Sequence, residues 1–303
     1  MNESLDSHLV HGRRQRPTGA SPVDIISVQS QLVYGYAGNS AAVPPLHRLD
    51  MRVAVIPTTL LSNTPFYETL RGKMLPTDLF GDLLRGASER GLPQRARALI
   101  SGYFGSLGNG QAFADWVEAT LPDAPGMRFF LDPVIGDTHT GPYVEAGLDK
   151  VISERLLPHA WLVTPNAFEL EQLTGMPALQ EADAVAASRK LLARGPEWVI
   201  AHSIVGEPGQ LVSLAVGHDV VHRWVSPYLA VDVAGTGDVL VALTTAFLLR
   251  GESLPQAVTR ALAGVHAALE STLENGIEEL DVQVAATAAL RDKGRFPYIT
   301  TNA

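Results

Sequence analysis

The stretch Gly235-Thr236-Gly237-Asp238, followed by the apolar run 239–249, predicts a glycine turn that opens into a buried helix. Glycines keep side chains away from the backbone N–H groups of the first helical turn. Those unpaired donors and the helix dipole favour an anion, typically a phosphate group. Asp238 lies in the same turn, where its carboxylate could take a proton from an alcohol as a phosphoryl group arrives. On these four residues alone, an ordinary glycine turn explains the pattern equally well.

Composition limits the class of protein. The 303 residues, 46% of them hydrophobic, are enough to bury a sizeable core. The net charge of −9 and the lack of a basic stripe after residue 16 argue against a nucleic-acid partner. Without cysteine, disulfides and thiolate metal sites are excluded. We expect no membrane span, a disordered arm over 1–22 rather than a secretory signal, and a cytoplasmic location.

Short apolar runs alternate with helical segments along the chain. Strand-like runs recur at 24–28, 52–57, 98–100, 128–131, 161–163 and 198–201. This alternation predicts βαβ units, a mostly parallel sheet and an α/β fold. A hairpin is predicted around Gly217-His218. Because no linker or repeat divides the chain, we expect one domain over 23–295, followed by a C-terminal tail over 296–303.

Parallel sheets bind ligands at the carboxyl ends of their strands. Asp132 ends an apolar run, where a carboxylate needs a cation or hydrogen-bond donors. Asp132 and Glu169 at adjacent strand ends could hold Mg²⁺, which favours a few carboxylates with water and phosphate oxygens. The polar residues expected at this edge are Ser30, Thr58, Tyr103, Asp132, Asn166, Glu169 and the 235–238 turn.

Each of these assignments has a purely structural alternative. Asp132 could cap the segment that follows it. Asn166 could be a helix N-cap with Glu169 as its N3 partner, which together form a capping box. Tyr103, between two glycines, could offer its ring to a flat ligand or fill a loop. The residues alone leave these alternatives open.

Seven motifs in order resemble the pyridoxal/pyridoxine/pyridoxamine kinases of the ribokinase-like superfamily. The resemblance covers the chain from Asp24 to the final predicted helix. It implies a three-layer αβα fold with a central, mostly parallel sheet, and ATP-dependent phosphorylation of the 5′-hydroxymethyl group of these B6 vitamers. The motifs are Val28-Gln29-Ser30-Gln31, Val33-Tyr34-Gly35 with Gly38-Asn39-Ser40, Ser62-Asn63-Thr64-Pro65, Ser101-Gly102-Tyr103-Phe104-Gly105, Asp132-Pro133-Val134-Ile135-Gly136-Asp137, Thr164-Pro165-Asn166 with Glu169-Leu170, and Gly235–Asp238.

The resemblance also implies roles for individual residues. Asp238 matches the general base, and the amides of Gly235, Thr236 and Gly237 match the anion hole for the γ-phosphoryl group. The positions that match contacts to Mg²⁺ are Asp132, Tyr143 and Glu169. Those on the ATP side are Asp132, Thr164, Asn166, Glu169 and His202, and those on the vitamin side are Ser30, Thr58, Phe66 and Tyr103. A homodimer is implied as well, and a monovalent cation is a further candidate cofactor.

Two positions depart from the family pattern. Phe66 stands where close bacterial relatives have histidine, which bears on the preferred vitamer. His202-Ser203 stands where many members have threonine or lysine, which bears on contacts to the ATP phosphates. Two alternative functions remain: a hydroxymethylpyrimidine kinase, which shares the glycine turn, and a B6-binding protein without transfer activity. The intact Asp238 and its glycines argue against the second.

Overall fold

A computed structural model of the protein describes residues 21–302. The predicted arm over 1–22 therefore lies outside the described residues, except for its last two positions. The strands are β1 (Ile25–Leu32), β2 (Val53–Leu61), β3 (Gly72–Met74), β4 (Ala98–Ser101), β5 (Arg128–Leu131), β6 (Gly136–Asp137), β7 (Gly141–Pro142), β8 (Leu162–Val163), β9 (Trp198–Val205), β10 (Gln210–Val216), β11 (Val220–Pro227) and β12 (Tyr298–Asn302). The helices are α1 (Asn39–Arg48), α2 (Thr77–Glu89), α3 (Leu107–Thr120), α4 (Leu148–Val151), α5 (Ala167–Thr174), α6 (Glu181–Leu192), α7 (Thr236–Leu249), α8 (Leu254–Asn275) and α9 (Val282–Arg291).

One large sheet organises the chain, in the order β12-β11-β10-β9-β8-β5-β4-β1-β2-β3. The strands from β9 to β2 in this order pair in parallel, and both ends of the sheet are antiparallel. In the centre, Ile25 lies opposite both Val53 and Ala98. The predicted α/β fold with a mostly parallel sheet is confirmed, and so is the hairpin formed by β10 and β11.

Alternate residues of the central strands face two separate cores. Leu99 and Phe129 pack on the side of α2 to α6, while Ile100 and Phe130 pack on the side of α1 and α7 to α9. All four side chains are buried. Because the centre of the sheet is covered on both faces, the central strands β4 and β5 are short, almost continuous apolar runs rather than alternating ones. The helices form the two outer layers of an αβα sandwich.

Two local features differ from the sequence-based expectation. In α2, Phe80 and Leu84 are buried, whereas Leu79 and Leu83 of the same predicted apolar face are exposed. The segment expected to be a tail forms β12, which pairs with β11 and places Tyr298 opposite Trp224. Within residues 21–302, no helix is both long and apolar enough to cross a membrane.

Candidate active site

The N-terminus of α7 is built on a glycine turn. Gly235 precedes the helix with φ of 92°, a left-handed conformation that favours glycine. A side chain at this position would also collide with the carbonyl oxygen of Tyr36. Among residues 21–302, no side chain accepts a capping hydrogen bond at this end of α7. Its first-turn N–H groups therefore have no side-chain acceptor within residues 21–302, which is what the predicted anion site would need.

Asp238 lies in the first turn of α7 and is held by a distant loop. Its Oδ2 accepts a hydrogen bond from the backbone N–H of Gly38 at 2.8 Å. Burial raises the pKa of Asp238 to about 6, even though the Gly38 hydrogen bond favours the ionised form. A carboxyl group that titrates near neutral pH suits a general base.

Asp132 follows β5 and points towards the same helix end. It is buried, and its Oδ1 accepts a hydrogen bond from the Thr164 hydroxyl at 3.0 Å. Its Oδ2 would lie 3.7 Å from a Cβ atom placed on Gly237, so this oxygen faces the first turn of α7. Burial raises the pKa of Asp132 well above its usual value, and repulsion from Glu169 and Asp238 adds to the rise. The Glu169 and Asp238 carboxylates therefore lie close enough to oppose a charge on Asp132, and the three residues are called the carboxylate cluster below.

Glu169 and Asn166 form the capping box that was the structural alternative at this position. Asn166 Oδ1 accepts from the Glu169 N–H, and Glu169 Oε2 accepts from the Asn166 N–H, both at 2.9 Å. Glu169 Oε1 also accepts from the Ile135 N–H at 3.1 Å, so the pair fixes the loop after Asp132. Burial raises the pKa of Glu169 to about 8.

Two tyrosines border the carboxylate cluster. The rings of Tyr103 and Tyr143 lie 6.5 Å apart between centroids. Burial raises the pKa of Tyr143, and the carboxylates of Glu169 and Asp132 raise it further, so the phenol is neutral in the ligand-free protein. Thr58 donates its hydroxyl proton to the carbonyl oxygen of Tyr103 at 2.6 Å, which fixes the loop that holds the ring.

The remaining predicted residues lie at three positions around this centre. Ser30 is buried directly beneath Gly38, where there is no room for a Cβ atom. Phe66 is exposed, on the loop after β2. The N–H of His202 donates to the carbonyl oxygen of Pro165 at 3.1 Å, which places His202 beside the Asn166 turn. Burial lowers the pKa of His202 to about 4, so its ring is neutral near pH 7.

Most of the predicted site residues thus lie close together, whereas Phe66 lies apart from them on the surface. Asp132, Thr164 and Gly237 meet at the helix end, while Ser30 and Asp238 meet across Gly38. Phe66 is exposed and follows Thr64 by two residues, and the Thr64 hydroxyl donates to Glu279, a residue that no sequence motif marks. No local motif marks Glu279, since its partners lie more than 200 residues away.

Known proteins resemble this chain over most of its length. A sequence profile of the phosphomethylpyrimidine kinase family matches residues 104–283. A pyridoxine/pyridoxal/pyridoxamine kinase of Bordetella bronchiseptica is 40% identical over 264 residues, which is 86% of this chain and 93% of that protein. Pyridoxal kinase PdxY of Rubrobacter xylanophilus is 36% identical over 91% of this chain and 96% of its own. A pyridoxal kinase from Leishmania donovani, solved in complex with ADP and pyridoxamine, is 25% identical with a TM-score of 0.86, covering 92% of this chain and 99% of that one.

Proposed function

The chain belongs to the pyridoxine/pyridoxal/pyridoxamine kinases, and we propose on that basis that it transfers the γ-phosphoryl group of ATP to the 5′-hydroxymethyl group of a B6 vitamer. The product is the vitamer 5′-phosphate. The observation that supports this reaction most strongly is the position of Asp238, a carboxyl group with a pKa of about 6 in the first turn of an uncapped helix. The turn combines a base, which can take the proton of an alcohol, with an anion site, which can hold the phosphoryl group that is transferred.

In this proposal, Asp238 accepts the proton of the 5′-hydroxyl group as its oxygen attacks the γ-phosphorus. Oδ2 is engaged by Gly38, which leaves Oδ1 for the substrate. The new O–P bond forms while the bond to the ADP oxygen breaks. The N–H groups of Gly235, Thr236 and Gly237 stabilise the charge on the transferring group, so positioning and electrostatics supply most of the catalysis.

The residues present fit a Mg²⁺ ion shared with ATP. No group of three or more His, Asp or Glu side chains within residues 21–302 is arranged to hold a metal alone. Asp132 nevertheless has one oxygen without a hydrogen bond from Thr164, and the carboxylates of Glu169 and Asp238 oppose its charge. Mg²⁺ typically combines one or two carboxylates with water and phosphate oxygens, and it would neutralise phosphate charge during transfer. Asp132 and Glu169, with the neutral Tyr143 beside them, are the proposed contacts.

The two substrates occupy opposite sides of this centre in the proposal. Ser30, Thr58, Tyr103 and Phe66 line the vitamin side. Thr164, Asn166, Glu169 and His202 lie on the nucleotide side. Burial lowers the pKa of His202 to about 4, so its imidazole is neutral in the ligand-free protein and has a ring N–H to donate on the nucleotide side.

A homodimer is part of the proposed function. Large apolar side chains remain exposed at the end of the sheet that holds β2 and β3, among them Val55, Leu60 and Met74. Exposed apolar surface of this kind is typical of an interaction face. Sedimentation equilibrium tests the dimer, and a monomer at micromolar concentration would contradict it. The cytoplasmic location and the monovalent cation stay predictions from the sequence.

A substrate panel tests the proposed function. The protein with Mg²⁺ and ATP is offered pyridoxal, pyridoxine, pyridoxamine and hydroxymethylpyrimidine, and each phosphorylated product is quantified. We expect turnover of at least one B6 vitamer and a much lower kcat/KM for hydroxymethylpyrimidine. Turnover of hydroxymethylpyrimidine alone would assign the runner-up activity, which the family profile also permits. Binding of pyridoxal without product in a single-turnover experiment would assign a non-catalytic role.

A further inference from the structure

A buried carboxylate outside all the sequence motifs bridges two loops beside the vitamin side of the site. Glu279 lies between α8 and α9 and is 8% exposed. Its Oε2 accepts from the backbone N–H of Tyr36 at 3.2 Å, and its Oε1 accepts from the Thr64 hydroxyl at 2.9 Å. Within residues 21–302, no Lys, Arg or His forms an ion pair with Glu279. A buried carboxylate without a cation depends on such donors, so it holds both loops in place.

The first loop connects Glu279 to the reacting centre. The Tyr36 carbonyl oxygen lies against Gly235, and two residues later the Gly38 N–H donates to Asp238. Glu279 fixes the N–H side of Tyr36 in the same peptide segment. A side chain at Gly35 would collide with the Glu279 carboxylate, which shows how closely this loop packs on it. The position of the hydrogen-bond donor to Asp238 therefore depends on a loop that Glu279 anchors.

The second loop connects Glu279 to the vitamin side. Thr64 is completely buried and precedes Phe66 by two residues. Burial raises the pKa of Tyr67 above its usual value, and the Glu279 carboxylate contributes to the rise. The rings of Tyr67 and Tyr34 meet edge to face at 5.8 Å, so the two loops also touch each other. Glu279 lies where they meet.

We propose that Glu279 is a positioning residue, which sets the two substrate-side loops in register with the N-terminus of α7. It does not touch the reacting atoms. It fixes the Tyr36 segment that presents Gly38 to Asp238, and it fixes the Thr64 segment that presents Phe66 to the vitamin. This role rests on the proposed kinase function. The positioning role implies that loss of the Glu279 carboxylate lowers kcat/KM for the vitamin. KM for ATP should stay unchanged, because the nucleotide-side residues belong to other loops.

The variant Glu279→Gln tests the role with little change in volume. Glutamine keeps one oxygen for a donor but places an amide N–H₂ against the other donor. Losing a charge-assisted hydrogen bond typically changes an equilibrium by about 10- to 100-fold. We expect kcat/KM for pyridoxal to fall by that factor while KM for ATP stays within twofold. The exposed neighbour variant Glu278→Gln is the matched control and should resemble the wild type.

Substitutions at Thr64 test the same contact from the other side. Thr64→Val removes the donor, and we expect it to lower kcat/KM for pyridoxal. Thr64→Ser keeps the hydroxyl group and should restore most of the loss. In the double variant Glu279→Gln/Thr64→Val, kcat/KM for pyridoxal should fall by less than the product of the two single effects, because both substitutions disrupt the same contact.

Amide hydrogen exchange supplies a readout that does not depend on turnover. In Glu279→Gln without ligands, residues 34–38 and 62–67 should both exchange faster than in Glu278→Gln. The inference is overturned if Glu279→Gln lowers only the Tm, if it changes KM for ATP as much as that for pyridoxal, or if exchange in both loops matches the control. A wild-type protein that phosphorylates no B6 vitamer would instead overturn the proposed function, while the exchange comparison would still test the coupling of the loops.

Discussion

The backbone N–H of Gly38 donates a 2.8 Å hydrogen bond to Oδ2 of Asp238, across 200 residues of sequence. This bond connects the loop after β1 with the first turn of α7. It offsets part of the desolvation that raises the pKa of Asp238 to about 6. It also leaves the other carboxylate oxygen for a substrate hydroxyl group. Asp238 is thus ionised near neutral pH and still basic enough to accept a proton, as the proposed role of general base requires.

The raised pKa of Asp238 predicts an acid limb in the pH profile. Below pH 6 the carboxyl group is protonated and cannot act as a base, so kcat/KM for pyridoxine should fall about tenfold per pH unit and level off above pH 7. Initial rates from pH 5 to 8 measure this limb. The residual activity of Asp238→Asn should lack this acid limb. The comparison therefore distinguishes titration of Asp238 from titration of the substrate. A wild-type profile that is flat down to pH 5 would contradict the raised pKa.

The buried cluster predicts that Asp132→Asn stabilises the ligand-free protein. The pKa of Asp132 is higher in the folded protein than in the unfolded chain, where it is near 4. Asp132 therefore lowers the free energy of unfolding increasingly as the pH rises above about 4. Asparagine removes this cost. We expect the Tm to rise by about 2–4 °C at pH 8, corresponding to ~1 kcal/mol, and by less at pH 5. The measurement is a thermal melt without Mg²⁺ or ATP, and a lower Tm at pH 8 would contradict the electrostatic account.

Glu169→Gln separates a metal contact from a helix cap. Both oxygens of Glu169 accept backbone N–H bonds, so glutamine should cost about 1 kcal/mol or less through the weakened cap. If Glu169 also organises Mg²⁺, the concentration required for half-maximal rate should rise severalfold. A magnesium titration beside a thermal melt measures both effects, with the exposed Asp183→Asn as the control. Unchanged magnesium dependence with a lowered Tm would leave only the capping role.

Phe66→His tests the residue that departs from the family pattern. Phenylalanine offers apolar contact, whereas histidine could hydrogen-bond the 4′ group of the vitamin and change protonation near pH 6.5. We expect the ratio of kcat/KM between pyridoxal and pyridoxine to change by about 2- to 13-fold, the value of one hydrogen bond, with a new pH dependence near neutrality. The KM for ATP should stay constant.

The exposed Leu70→His variant of the same loop is the control for Phe66→His, and its vitamer ratio should match that of the wild type. If Phe66→His leaves the vitamer ratio within twofold while ATP affinity moves, Phe66 does not belong to the vitamin side.

Local sequence patterns are sufficient to predict the α/β fold and the glycine turn at the N-terminus of α7. The buried runs at β1, β4 and β5 are recognisable because parallel strands covered on both faces are continuously apolar. The glycine turn at 235–238 is recognisable because its conformation needs specific residues.

Contacts between distant segments were not predictable in this way. Glu279 has no motif, and its donors lie 215 and 243 residues away. The pairing of β12 with β11 depends equally on tertiary context. The hydrogen bond from the Ile135 N–H to Glu169 Oε1 depends on tertiary placement as well, because the two residues lie 34 positions apart.

Single-turnover phosphorylation of pyridoxal tests the central claim most directly, namely that Asp238 is the base of a B6 kinase. Enzyme in excess over pyridoxal is mixed with Mg²⁺ and ATP, and pyridoxal 5′-phosphate is followed over time. The wild type and the exposed, same-loop control Asp232→Asn should form product at the same rate. Asp238→Asn should be about 10²- to 10⁴-fold slower, with little change in KM for ATP. A folded Asp238→Asn protein that forms product at the wild-type rate would contradict the account.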